Sequence, residues 1–384
     1  MVGSSRILVF NDTAVINGGA ERSVLLMVRN LDQTRFPTDF AAFQGGAMVS
    51  EMESRDVQTY GLKAPSIIFE PRSRLLCHPY RAARFCQALM SAGYTLAQHV
   101  RKTQPDLVYT FSMKGHLVSL ASGAWHNAAI AWDLREADVP RWFLASLLTL
   151  GRRRVAAISV QSHETQAQLQ CLFPRERIMR LPNCLAPEEV TANQSRLSVR
   201  GQLGLDDRTF LIISAGRITS RKGFHHLIEA MQSVPQGHLI ICGAPAYGED
   251  EAYLDFCRMQ IRLRHLEQRI SFLGARQDVF NLLAASDLAV LPSQSEEQSR
   301  FIMEAMCLGV PVIATDVGGM RDILNPPHAG WIVPPDQPEV LARAIRQIQA
   351  DDATRKELGI SAASRIRTTF NIKDQIHNRE AFFS

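Results

Sequence analysis

Short apolar runs alternate with helix-length amphipathic stretches from one end of this sequence to the other. That alternation constrains the fold more than any other feature. A strand that is apolar along its whole length must be covered on both faces, and helices returning between parallel strands supply the cover. In the first half the strand candidates are 6–10, 38–43, 66–70, 106–111, 128–132, 155–160 and 177–181. Helical stretches near 20–31, 80–101, 115–126, 140–151 and 163–170 separate most of them. In the second half the strands fall at 210–214, 238–242, 270–273, 287–291, 311–315 and 331–333. Helices near 223–232, 251–265, 277–285, 300–309 and 338–350 fill the gaps. The pattern predicts an α/β protein with doubly wound, Rossmann-like parallel sheets.

With 384 residues the chain is too long for one comfortable core and suits two domains. Residues 184–208 hold no credible strand and are mostly polar. Placing a linker at 186–208 gives a first domain over 1–185, a second over 209–352 and a helical segment over 353–384 that can pack back on the first domain. Two such domains leave a cleft between them, and doubly wound sheets bind ligands at the carboxyl ends of their strands.

Apolar residues at 46% and charged residues at 21% exclude a disordered chain. No apolar run approaches the ~20 residues that span a bilayer. Residues 1–10 lack the apolar stretch and cleavage site of a secretion signal and read as a first strand, so a cytoplasmic location is expected. Seven widely spaced cysteines with no Cys-x-x-Cys pair argue for reduced thiols rather than disulfides or zinc. Through residue 190 there are 21 Lys/Arg against 16 Asp/Glu, and 21 against 22 in the remainder. That excess suits an acidic acceptor or a membrane surface and is too small for a nucleic-acid partner.

The most informative stretch is Ser214 to Phe224, SAGRITSRKGF. It leaves a strand, turns through Ala215 and Gly216 and opens a helix at Gly223. A small-residue turn lets backbone N–H groups approach an anion, and the helix start adds positive potential. Arg217 and Lys222 bring two cations to the same place. A unit pair at ~4 Å and an effective dielectric of roughly 20 is worth about 4 kcal/mol, so two cations can replace a metal on a diphosphate. In isolation a solvated basic loop would read the same way.

The second stretch, Pro292 to Met306, follows the strand at 287–291 and enters a helix that buries Phe301, Ile302 and Met306. Ser295 with Gln298 could form a capping box, or Ser299 could cap one turn later; both stay open. Glu296 falls at the helix mouth and Glu304 about two turns in. A carboxylate there can accept from both hydroxyls of a ribose, although an acidic helix start often only offsets the dipole.

Together, Gly216-Arg217-x4-Lys222-Gly223, Glu296-x7-Glu304 and LGVPVIATDVGG at 308–319 resemble glycosyltransferase family 4. Gly18-Gly-Ala-Glu21, Ser162 and Pro182-Asn183 fall where that family has its first-domain features. The resemblance covers nearly the whole chain and implies a GT-B fold and a retaining transfer from a UDP- or GDP-linked sugar. It implies that Arg217 and Lys222 hold the donor diphosphate beside Gly216, with Gly18 and Gly19 closing on the phosphates. Glu304 would bind the ribose and Glu296 the donor sugar near the reacting carbon. Glu296, Arg217 and Lys222 are the catalytic candidates. Ser299 and Arg300 join the donor-binding set, Arg300 as an extra cation. The sugar nucleotide is a substrate, and neither cofactor nor metal is expected.

Two departures stand out. The family follows its first motif glutamate with glycine and an aromatic residue, whereas Glu297, Gln298 and Ser299 stand here. Many members carry a histidine where this chain has Ala131 to Glu136, AWDLRE. His116 is an alternative or a structural residue, and the acceptor-side group stays open. Asp-x-Asp is absent, and Glu249-Asp250-Glu251 reads as an acidic first helical turn. Trp142 to Leu150 runs into Arg152-Arg-Arg154, which suits peripheral contact at the inner membrane face through 142–154 or a packed helix with a cationic end. The acceptor is a glycan, a lipid-linked molecule or a small molecule, with family habit pointing to bacterial surface or secreted glycans. Rival readings are a sugar-nucleotide epimerase and a non-catalytic nucleotide-sugar binder.

Overall fold

The computed structural model describes all residues except 1–4, 17, 71–78, 136–140, 152, 174–176 and 247. Its chain forms two compact units, Met1–Pro182 with Gln375–Ser384, and Asn183–Asp374.

The first unit runs β1 (Ile7–Thr13), α1 (Gly19–Asn30), β2 (Thr38–Gln44), α2 (Ala47–Glu53), β3 (Gln58–Gly61) and α3 (Pro79–Thr103). It continues through β4 (Leu107–Thr110), α4 (Met113–Ser122), β5 (Ala129–Leu134), α5 (Arg141–Gly151), β6 (Val155–Val160), α6 (His163–Leu172) and β7 (Ile178–Arg180). Its sheet is wholly parallel, in the order β3-β2-β1-β4-β5-β6-β7. Successive side chains of β1 enter opposite cores, as the pleat requires. Ile7 and Val9 pack with Val24 and Val28 of α1, whereas Leu8 and Phe10 pack with Ala92 and Leu96 of α3.

The second unit runs α7 (Arg196–Gln202), β8 (Phe210–Ala215), α8 (Phe224–Ala230), β9 (Gly237–Cys242), α9 (Gly248–Leu263), β10 (Ile270–Gly274) and α10 (Val279–Ala285). Then come β11 (Leu288–Leu291), α11 (Arg300–Cys307), β12 (Val312–Thr315), α12 (Met320–Leu324), β13 (Trp331–Val333), α13 (Pro338–Ala350) and α14 (Asp352–Thr369). Its parallel sheet has the order β10-β9-β8-β11-β12-β13. Leu211 and Ile213 face one core with Ile302 and Met306 of α11; Ile212 faces the other with Leu227 and Ile345. The last helix, α15 (Ile372–Phe383), places Phe382 and Phe383 in the first unit's core beside Tyr109.

Several expectations need correction. The run at 66–70 is a 3-10 turn over Ser66–Phe69 that buries Ile68, following Pro65, and not a strand. The strand in that region is β3, a polar edge strand whose side chains are exposed or half-buried, so it carries no apolar signal. The polar stretch at 186–208 contains α7 and packs within the second unit. Arg200, only 1% exposed, donates to the carbonyls of Ala285, Asp206, Asp207 and Thr209 and to Asp287 Oδ2 at 2.6 Å. A buried arginine that satisfies backbone carbonyls looks like linker polarity in a sequence. The segment 353–384 divides, its end joining the first unit at Gln375.

Beyond the apolar cores, a polar cluster ties the central strands of the first sheet. Asp133, at the end of β5, is 1% exposed. Its Oδ2 accepts from Tyr109 Oη and Arg135 Nε, both at 2.5 Å, and its Oδ1 from Ser159 Oγ at 2.9 Å and Gln161 Nε2 at 2.8 Å. A carboxylate so surrounded compensates the buried Arg135, whose charge would otherwise be costly. Asp133→Ala should therefore cost about 3–5 kcal/mol of stability. Denaturant unfolding checks this, and adding Arg135→Met should recover part of the loss; a single-variant loss under ~1 kcal/mol would refute the role.

Candidate functional site

In the second sheet the strand order reverses between β8 and β11, and the crevice of a doubly wound sheet lies outside the carboxyl ends at such a point. The two motif loops leave from these two strands. After β8 the chain passes Gly216 and Arg217, makes a 3-10 turn over Ser220–Lys222 and starts α8 with Gly223 at the cap. After β11 it runs irregularly from Pro292 to Ser299, the cap position of α11. Gly223 has φ of +65°, and a Cβ there would stand 2.1 Å from Pro292 O. Only glycine lets these backbones meet. Gln294 N donates to Arg221 O at 2.8 Å, which fixes the contact.

This approach brings Lys222 to Glu296. Lys222 Nζ lies 2.6 Å from Glu296 Oε2, with both side chains largely buried, and Ser293 Oγ donates to the same oxygen at 3.3 Å. The Lys222 side chain passes over Gly216, so it lies beside Arg217, which is exposed and makes no ion pair among the described residues. Gly216 N is not offered to a ligand; it donates to Cys242 O at 3.0 Å. A third loop, after β12, supports the second from below. A Cβ on Gly318 would lie 1.7 Å from Glu296 O, and Gly319 N donates to Glu297 O at 2.6 Å. Thr315 Oγ1 donates to Ser293 O at 2.5 Å.

Glu296 thus stands in the loop four residues before α11, and Glu304 in the second turn of that helix. Ser299 is the cap residue but its side chain makes no capping bond. Arg300 is turned toward protein: Nη2 lies 3.3 Å from Glu304 Oε1, and Nη1 donates to Cys184 O at 3.2 Å. Ser293 is a structural part of the site that sequence reasoning missed, and the contacts of Asn183, Gln298 and the Gly318-Gly319 pair, noted there only as motif or capping positions, emerge from the structure. A pair of cations beside buried carboxylates can hold a diphosphate and stabilise charge that develops on it.

In the first unit Gly18 caps α1 and Gly19 opens it. Nearby, burial raises the carboxyls of Asp12 and Glu21, opposed at Asp12 by Ser112 Oγ donating at 2.8 Å. Ser162 caps α6, accepting from Thr165 N at 3.1 Å. On α5, Leu147 and Leu148 are buried, whereas Trp142 and Leu150 are 71% and 78% exposed. Arg152 and Glu136 lie outside the described residues, as does the side chain of Glu249. Asp250 and Glu251 lie in the first turn of α9, with Asp250 accepting from Ala246 N at 3.1 Å. No helix among the described residues is long and apolar enough to cross a membrane.

Residues 195–365 match the model of the glycosyl transferases group 1, and residues 18–184 match that of the glycosyl transferase 4-like domain. The chain belongs to these GT-B glycosyltransferases of the group 1, family 4 type. Among its relatives, the alpha-D-kanosaminyltransferase of Streptomyces kanamyceticus is 27% identical over 217 residues, 55% of each chain. The D-inositol 3-phosphate glycosyltransferase of Corynebacterium glutamicum is 32% identical over 177 residues, 44% of this chain and 42% of that one. The chain thus spans about half the length of the curated relatives it matches. A crystal structure of HepE from Anabaena in complex with UDP-glucose shares the fold, with a TM-score of 0.81 at 23% identity over 98% of this chain and 99% of that one.

His116 is 1% exposed, shares a 2.6 Å hydrogen bond between Nδ1 and Thr110 Oγ1, and lies tilted over Trp132. Burial pushes its imidazole from 6.5 down to about 3, against a smaller upward pull from Asp133. It is a packed, neutral histidine. Between those two pH values the unfolded chain binds a proton that the folded chain refuses. The stability this neutral state contributes is complete above pH 6.5 and falls as the pH drops toward 3, by about 1.4 kcal/mol per unit. His116→Leu should flatten the pH dependence of unfolding in that window by one group. An unchanged slope in urea unfolding would show that the folded protein already holds the proton.

Proposed function

We propose that the chain is a retaining, metal-independent glycosyltransferase that moves a sugar from a nucleotide-diphosphate donor to an acceptor hydroxyl. The observation that carries this reading is the Lys222–Glu296 pair beside exposed Arg217, at the switch point of the second sheet. Arg217 and Lys222 hold the diphosphate. As the bond from the sugar carbon to phosphate oxygen breaks, negative charge grows on the leaving group, and cations already in place stabilise it without reorganising. Glu296 keeps the Lys222 ammonium in line and faces the donor sugar. Glu304, fixed by Arg300, accepts from the ribose hydroxyls. The acceptor oxygen bonds the same carbon on the face that the phosphate leaves, and its proton passes to the departing phosphate oxygen.

A UDP donor is favoured over GDP by the likeness to HepE, which was crystallised with UDP-glucose. Acceptors of the glycan, lipid-linked or small-molecule classes fit, with bacterial surface or secreted glycans as the setting. Exposed Trp142 and Leu150 with the exposed Arg153 support peripheral contact with an anionic membrane surface.

Lys222→Ala and Arg217→Ala should each lower turnover roughly 10²–10³-fold, the usual loss on removing one charge stabiliser of a transition state. Transfer assays with UDP- and GDP-sugars check this, and near-normal turnover in both variants would sink the diphosphate assignment. Turnover should also persist in excess EDTA, because the two cations occupy the role a metal has elsewhere. Complete loss on chelation, restored by magnesium or manganese, would contradict that.

A further inference from the structure

The segment on which the chain enters the second unit is gripped by the loop that carries Glu296. Asn183 N donates to Gln298 Oε1 at 2.8 Å, and Asn183 Nδ2 donates to Gln298 O at 3.2 Å. Both residues are 6% exposed, so these bonds are shielded from water and an unmade one would be costly. One residue on, Cys184 O accepts from Arg300, which also holds Glu304. Leu185 is fixed from its other side: its N–H donates to Phe370 O at 2.9 Å and its carbonyl accepts from Ile372 N at 2.8 Å. Residues 183–185 are therefore a strap whose own position is set by the chain at 370–372.

The loop from Pro292 to Ser299 has no regular secondary structure to hold it. On one side Gly318 and Gly319 support it by backbone contact, and Lys222 meets it at Glu296. Pro292 O meets Gly223, Gln294 N donates to Arg221 O and Thr315 Oγ1 donates to Ser293 O, and Gln298 adds an anchor at the end of the loop nearest α11.

We infer that Gln298 and Arg300 are positioning residues. They set Glu296 and Glu304 against the strap at Asn183–Cys184, so the geometry of the site is fixed partly by a segment outside the two motif loops. Arg300 then acts on the ribose contact through Glu304, and not as a further cation on the diphosphate. This rests on the donor reading above for its kinetic consequences, but the clamp can be tested without any donor.

The test combines amide hydrogen exchange on the ligand-free protein, calorimetric binding of UDP and of GDP, and donor kinetics. Gln298→Ala should speed exchange across 293–304 about tenfold while leaving the β8 amides unchanged. It should lower kcat roughly 10- to 100-fold, the cost of a misplaced reacting group, with little change in nucleotide affinity. Arg300→Met, which removes one partner of Glu304, should instead weaken nucleotide binding about five- to tenfold and change kcat less. Gln298→Glu keeps an acceptor for Asn183 N and should recover most of the kcat lost in Gln298→Ala. Unchanged exchange in both Gln298→Ala and Arg300→Met overturns the proposal, as does an unchanged kcat and nucleotide affinity in both. Faster exchange supports the clamp even where the unsubstituted protein binds neither UDP nor GDP, an outcome that overturns the donor reading alone.

Discussion

Two carbonyl oxygens, those of Pro292 and Glu296, govern the candidate site of this protein because each is met by a glycine in the left-handed region. Any side chain at Gly223 or Gly318 would collide with backbone, which cannot give way as a flexible side chain can. The loops following β8, β11 and β12 consequently lie backbone against backbone. Lys222 and Glu296 meet at 2.6 Å because those loops have no room to separate. The chemistry proposed for the site depends on that closeness more than on any single charged residue.

The two sheets share a plan and differ in what they place at the reversal of strand order. In the second unit the strands flanking the switch deliver an exposed arginine and a lysine–glutamate pair. In the first, the corresponding strand ends deliver Asp12 from β1 and Ser112 after β4, with the Asp133 cluster close by on β5. Arg135 is neutralised there by Asp133, and burial raises Asp12 and Glu21. The second unit leaves Arg217 exposed beside a lysine–glutamate pair, whereas the first pairs Arg135 with Asp133 and buries Asp12 and, in part, Glu21. That contrast does not follow from strand order, which the six strands of the second sheet share with the first six of the other.

Sequence patterning recovered strands whose apolar runs are nearly unbroken, most clearly β1, β8, β9 and β12, which are buried on both faces. Patterning failed where burial and polarity part company. The edge strand β3 is polar because one side faces solvent. The turn at Ser66–Phe69 is apolar because Ile68 reaches the core without any strand partner. Helix α7 looked like linker because its anchor is an arginine that satisfies backbone carbonyls rather than an aliphatic residue. Of the candidate site, Arg217, Lys222, Glu296 and Glu304 could be singled out because their spacing within two short segments, each a loop leading into a helix, is local. The role of Gln298 was not, because its partner stands 115 residues away.

By itself, then, the sequence determined the two parallel sheets, since runs of unbroken apolar residues leave no other arrangement that covers both faces. It also determined which two loops would carry the charges, because a strand, a small-residue turn and a helix start must follow one another in the chain. Only the tertiary structure decided that Lys222 pairs with Glu296, that Arg300 turns to Glu304 and Cys184, and that Asn183 clamps Gln298. The physical reason is that periodicity records whether a side chain faces a core or water. It carries no record of which distant backbone will come within hydrogen-bond reach once the glycines let the loops close.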